Sequence, residues 1–234
     1  MSTPAKETTT TTAVSDNARS PEEYERLANL HDSYKPIWLT ETIQLGPLLP
    51  SDKDALLEYL NDVRIHQWLY GPPNPYKPED ADFWINGRVD RMTANGTPLN
   101  FCFRDMARGG KAIGSVGVSN ESDDRLDGDD TGYWLAPEYH GQGLMAKALK
   151  MMLRKVSIDE VGKRKFNSHA FEGNWASRRT LEKAGFVYQP DLEKTVVKDG
   201  KDINIWVFRM TLTDEDIAKQ GAIAEATPAP SLAL

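Results

Sequence analysis

The stretch Thr131–Lys150, TGYWLAPEYHGQGLMAKALK, decides how the chain is read. Thr131–Ala136 has the make-up of a strand, and Pro137 ends it. Gly141 and Gly143 then let the backbone turn tightly and lie close to a ligand. Over Gly141–Asp159 the apolar residues Leu144, Met145, Ala148, Leu149, Met152, Leu153 and Val156 recur at helical spacing, with Lys147, Lys150 and Arg154 elsewhere. Strand, glycine turn and amphipathic helix in succession leave the first helical amides without intrahelical acceptors. Together with the helix dipole these amides make an anion site suited to a pyrophosphate. A plainer reading stands beside this one: a bare Gly-Gln-Gly has little specificity and also serves simply as a turn.

Outward from this segment the chain alternates between strand and helix patterns. Pro21–Leu30 predicts a short helix able to dock an N-terminal extension, and Glu41–Leu49 a first strand closed by Pro50. Ser51, with an acid three residues on, reads as the cap of a helix carrying Leu56, Leu57 and Leu60. Helical pieces follow near Arg64–Tyr70 and Asp80–Met92, separated by the proline-rich turn Gly71–Pro78. From Leu99 the period becomes two, with Ala107–Gly110 as a hairpin turn into Lys111–Val118. Arg164–Phe171 is a strand, and Trp175–Ala184 a helix with Asn174 as N-cap and Gly185 as stop. A last hairpin pairs Phe186–Lys194 with Ile203–Met210 through Val197–Lys201. This order gives an α/β domain with a mixed, partly antiparallel sheet over 39–212, preceded by a tail (1–20) and an extension (21–38) and followed by a tail (213–234).

Composition narrows the function. The 234 residues are 39% hydrophobic, enough to bury one core. The net charge of -7 argues against a nucleic-acid partner, which needs clustered basic charge. Cys102 is the lone cysteine, so an intrachain disulfide is excluded, and its place in a strand marks a buried, inert thiol. The acidic run Glu121–Asp130 lacks the spacing of a calcium loop, and no metal is expected. Met1–Ser20 lacks the apolar stretch of a signal peptide, and the Pro-rich C-terminal tail is too short to span a membrane. The expectation is a cytoplasmic protein, with the nucleus as second choice, monomeric or homodimeric and without a membrane partner.

The segment HGQGLM at 140–145 resembles the acetyl-CoA signature of the GNAT superfamily of N-acetyltransferases, Gln/Arg-x-x-Gly-x-Gly/Ala. The preceding GYWLAPEY (132–139) and the later NWASRRTLEKAGF (174–186) are similar to the branch of ribosomal-protein N-terminal alanine acetyltransferases. His140 stands where the family commonly has Gln or Arg, and Met145 where it has a small residue. The resemblance implies a splay between the strands near 131–136 and 164–171. It also implies a diphosphate held by the amides of Gln142, Gly143, Leu144, Met145 and Ala146, beside His140 and Gly141. Pantetheine would lie along Trp134, Leu135 and Ala136, with the Leu135 amide polarising the thioester carbonyl. Asn174 would touch the pantetheine arm, and Ser177 and Arg178 the phosphates. Asn174 reads equally as a helix cap, and Arg178 and Arg179 equally as solvated helix charges.

Acetyl transfer to an amine needs a proton acceptor and a route to protonate the departing thiolate. Asp130, ahead of the cofactor strand, and His169, near the end of the neighbouring strand, are the base candidates, with a structural or surface role for the histidine as the alternative. Many relatives supply the acid from a tyrosine; the matching position here is Leu181. His66, Trp68, Tyr70, Tyr76, Trp84 and Trp206 are candidate acceptor-binding residues, though packing accounts for them as well. The expected acceptor is a primary amine of a small molecule or of a peptide or protein N-terminus. The rivals are a catalytically weak CoA-binding protein on the same scaffold and an α/β protein holding another phosphate.

Overall fold

The computed structural model describes residues 19–119, 126–155 and 162–216. Half of the predicted acidic loop (121–125), the helix end at 156–159 and nearly all of both tails lie outside these ranges. Helix α1 (Pro21–Asp32) precedes β1 (Ile37–Trp38) and β2 (Ile43–Pro47). Helices α2 (Lys53–Leu60), α3 (Val63–His66) and α4 (Pro78–Asn86) fill the connection to β3 (Asn100–Asp105) and β4 (Lys111–Ser119). Then come β5 (Asp129–Leu135), α5 (Leu144–Met152), β6 (Lys165–Phe171), α6 (Trp175–Ala184), β7 (Val187–Tyr188), β8 (Lys194–Lys198) and β9 (Lys201–Thr211). They make one 9-stranded sheet ordered β1-β2-β3-β4-β5-β6-β9-β7, with β8 also on β9. The expected mixed α/β architecture is therefore the one observed.

All neighbours are antiparallel except β5 and β6, which α5 connects as a parallel crossover. That pair is joined only at Asp129–Thr131 against Phe166–Ser168, after which the strands part. The splay opens where the glycine turn enters α5. Helices α2 and α4 pack together, as do α5 and α6. Alternation along β5 separates the two faces. Trp134 lies against Tyr59 of α2 with ring centroids 5.9 Å apart, while the Tyr133 hydroxyl reaches Ser177 of α6 at 2.8 Å. Between the layers Phe101, Phe103, Ile113, Leu149, Phe166 and Leu181 are fully buried.

Several local expectations change. Ser51 does not cap α2. A 3-10 turn at Pro50–Asp52 precedes the helix, and Asp52 accepts the Leu49 N–H at 2.7 Å. The same carboxylate is held by both terminal nitrogens of Arg104 at 2.7 Å, so Asp52 is used to tie the turn to β3. The last hairpin is tighter than predicted. Its first arm is β8, and the connector collapses to Asp199–Gly200, both at positive φ (51° and 73°), the conformation a two-residue hairpin turn requires. Helix α5 starts at Leu144, because Gly141 and Gly143 take left-handed φ of 76° and 74°. Ser20, assigned from sequence to a loose tail, caps α1 by accepting the Glu23 N–H. Helix α1 is docked through Asp32, which accepts from Arg88 Nε and Nη2 at 2.9 Å. Cys102 is buried as expected, and burial pushes its thiol pKa up.

Candidate active site

The turn into α5 is built almost wholly of backbone. Gly143 is the N-cap and supplies no side-chain hydrogen bond, and the first helical bond runs from Lys147 N–H to its carbonyl at 3.1 Å. Leu144, Met145 and Ala146 therefore present amides with no helical acceptor. All three line a cavity of about 1410 Å³, with His140, Gly141 and Gly143 beside them. The positions where β-carbons would stand on Gly141 and Gly143 have no atom within 4 Å. A diphosphate fits this donor set, since the amides aim at it and the missing side chains leave it room. Met145 finds its place in the core at 7% exposure, so its size does not obstruct the turn. His140 acts on the strand: its Nε2–H donates to the Leu135 carbonyl at 2.7 Å and ties the turn to the free edge of β5. The Gln142 side chain folds back onto the Glu138 carbonyl at 3.3 Å.

That free edge has a direction. Ala136 N–H bonds the Ile113 carbonyl of β4 at 2.7 Å, so alternation turns the Leu135 N–H the other way, into the splay. Beneath it the Tyr133 hydroxyl and Ser177 Oγ are 2.8 Å apart, and both residues line the cavity. Burial pushes the phenol pKa well up, only partly offset by the Ser177 bond, so Tyr133 keeps its proton at neutral pH. Asn174 Oδ1 accepts the Ser177 N–H at 3.0 Å, so it caps α6 while lining the same cavity. Asp130 and His169 come together across the β5–β6 junction with Oδ1 and Nδ1 3.9 Å apart, and both line the cavity.

Other sequence candidates are placed elsewhere. Arg178 points away from the cavity, pairing with Glu182 and lying 4.4 Å from the Tyr188 ring and 5.3 Å from Trp206. The α6 cations that do line it are Arg179 and Lys183, on another face of the helix. Trp206 is buried against Trp175 at 4.9 Å. His66 is also buried, its Nε2 3.3 Å from Lys198 Nζ, where the β8–β9 hairpin meets α3. Tyr70, Tyr76 and Trp84 do line the cavity, joined by Trp68 and Phe83. Tyr133, Arg179 and Phe83 were not singled out for these positions. Tyr133 carried a signal, since a tyrosine two residues before the strand's buried end falls beside the splay; the helix phase of Arg179 was ambiguous. Among the described residues no cluster of three or more ligating side chains could hold a metal, and no helix is long and apolar enough to cross a membrane.

Comparison with known families matches residues 43–187 to the acetyltransferase (GNAT) domain. The chain is similar to YdaF of Bacillus subtilis (strain 168), provisionally described as a ribosomal N-acetyltransferase. The two are 26% identical over 168 residues, 71% of this chain and 86% of that protein. A solved structure of ribosomal-protein-S5-alanine acetyltransferase from Vibrio fischeri matches with a TM-score of 0.62 and 21% identity, over 77% of this chain and 98% of that one. The microcin C7 self-immunity acetyltransferase MccE, solved with acetyl-CoA and AMP, matches with a TM-score of 0.60 and 18% identity, over 74% and 94%. At these identities the two structures speak for the fold.

Proposed function

This chain belongs to the GNAT acetyltransferase family, and on that premise we propose that it transfers an acetyl group from acetyl-CoA directly to a primary amine. One observation carries the reading: the uncapped amides of Leu144, Met145 and Ala146 line the same cavity as the free edge of β5. Acetyl-CoA supplies the activated thioester carbonyl and the thiolate that leaves. The Leu135 N–H, turned into the splay, is the donor for the developing oxyanion. The Asp130–His169 pair takes the proton that the attacking ammonium gives up. Ser177 Oγ, backed by the Tyr133 hydroxyl, relays to the departing sulfur the second proton that the nitrogen sheds after attack. This pair replaces the tyrosine of other family members at a position where this chain has the buried Leu181. The similarity to YdaF supports the ribosomal branch and a protein N-terminus as one acceptor class; a small amine is the other.

The test is calorimetric titration with acetyl-CoA, with desulfo-CoA and NAD as comparators, followed by thiol release in the presence of amines. Saturable binding of the CoA species alone, with amine-dependent thiol release, is expected. Binding without release for any amine would leave a CoA-binding protein on an acyltransferase scaffold. Absence of binding by a folded sample would remove the cofactor assignment.

A further inference from the structure

The sheet face opposite Tyr133 has an unusual floor. Gly117 of β4 and Gly132 of β5 stand directly across from each other, and both line the cavity. A β-carbon on Gly132 would meet nothing within 4 Å, and its φ lies outside the left-handed range, so backbone geometry does not call for glycine there. At Gly132 the floor is therefore bare backbone, while the Asn100 side chain lies over Gly117 and borders it; Asp130 is on the same face of β5 two residues before Gly132.

The same cavity has aromatic walls. Trp68, Tyr70 and Phe83 line the cavity while remaining 38%, 62% and 78% exposed. Such exposure of large rings is costly unless something covers them. Trp84 has one face taken by Arg91, whose guanidinium carbon lies 3.8 Å from the ring centroid. Tyr76 is buried, and its phenol pKa is pushed up to about 12, first by burial and then by the charge of Asp80.

Charge on the lining limits the ligand further. Its carboxylates are Asp80 and Asp130. Besides Arg179 and Lys183 of α6, two more cations share the lining: Arg64 is held by Asp62, with Nε 3.0 Å from both carboxylate oxygens, and Lys194 stands on β8. A polyamine would bring more positive charge than these carboxylates can balance. A peptide brings an N–H and a C=O at every residue, each needing a partner once desolvated. The wall at Tyr70–Tyr76 (YGPPNPY) is poor in such partners, because its prolines lack N–H groups. The Tyr76 N–H and carbonyl are already taken by Asn61, at 2.9 and 2.8 Å.

We infer that the acceptor is a compact aryl-alkyl primary amine, its ring lying over Gly132 beside the Asn100 side chain, with Trp68, Tyr70 and Phe83 as walls, and its single ammonium directed to Asp130. The inference rests on the acetyltransferase reading above and selects the small-amine class within it. The step is the one already described. The amine nitrogen gains a bond to the acetyl carbon and the carbon–sulfur bond breaks; one nitrogen proton goes to the Asp130–His169 pair, and the second passes through Ser177 to the sulfur, which leaves as the thiol.

The experiment measures thiol release by the full chain with acetyl-CoA and four probes: 2-phenylethylamine, 2-cyclohexylethylamine, spermidine and an alanine-initiated tetrapeptide. The kcat/KM for 2-phenylethylamine is expected to exceed those for spermidine and the peptide by about tenfold or more. Phe83→Ala and Trp68→Ala are each expected to raise its KM about fivefold, with the acetyl-CoA Kd within about twofold of the parent. Gly132→Val, which fills the floor, is expected to abolish turnover of the aromatic amine while acetyl-CoA still binds. A preference for the peptide or spermidine, or an unchanged KM in both aromatic variants, would overturn the inference and leave the acetyltransferase reading standing. Failure to bind acetyl-CoA at all would overturn both.

Discussion

At the proposed cofactor end of the cavity the lining is main chain: the amides of Leu144, Met145 and Ala146, and the glycines beside them. At the proposed acceptor end it is side chains on α2–α4 and the loop between α3 and α4, several of them exposed rings. The first end depends on where a helix begins, which is a local property. The second depends on how separate helices are set over the sheet, and its rings can change identity without disturbing a backbone hydrogen bond. One domain can thus keep its cofactor chemistry while its acceptor drifts. Helix α6 stands between the two kinds, with Ser177, Arg179 and Lys183 on the cavity face and Arg178 packed among Trp175, Tyr188 and Trp206 on the other.

Each part of this contrast can be broken by substitution. The largest effect is expected from Leu181→Ala, which removes a fully buried side chain holding α6 to the core. It should cost about 3 kcal/mol of stability in denaturant unfolding, while the folded fraction keeps its acetyl-CoA Kd. A severe loss of rate with unchanged stability would instead put Leu181 in the chemistry. Gly143→Val comes next, since its φ of 74° disfavours any side chain and the β-carbon enters the diphosphate cradle. Calorimetry should find the acetyl-CoA Kd raised about 30-fold; an unchanged Kd would move the phosphates elsewhere.

Ser177→Ala should lower kcat about tenfold with little change in KM. Adding Tyr133→Phe should cost little more, because the two hydroxyls act as one relay; full additivity would separate their roles. The smallest effect sharpens the contrast within α6. Arg179→Ala should weaken acetyl-CoA binding about threefold, more at low salt than at high salt. Arg178→Ala should leave that Kd alone and lower Tm by about 3 °C through the lost ring contacts. Equal effects on Kd would mean that the two faces of the helix are not divided as the packing indicates.

Much of the fold was readable in the chain. The β5–turn–α5 unit, the amphipathic face of α5, the Asn174 cap and the Gly185 stop all rest on periodicity and on residues with narrow backbone preferences, so each announces itself locally. The errors arose where two local signals competed. Ser51 looked like a cap, but the buried Arg104 pair fixes Asp52 as the group that closes the turn. The β8–β9 turn was read as a five-residue connector because Val197, Lys198 and Lys201 gave no sign that the strands run on to Asp199–Gly200. Among site candidates the backbone-made ones were the easiest to read. His66, Trp206 and Arg178 were plausible by residue type alone, and packing set each against another element outside the cavity.

What the sequence determined by itself is therefore the mixed α/β order and the place of the glycine turn into α5, since both follow from interactions between residues close along the chain. Only the tertiary structure decided that β5 and β6 part after Thr131 and that Asp130 comes within 3.9 Å of His169. It also paired Tyr133 with Ser177, set Gly117 and Gly132 across from each other, and brought Trp68, Tyr70 and Phe83 into the same cavity. These groups are far apart in the chain and meet only when strand register and helix packing are settled together, and no local preference records that joint outcome.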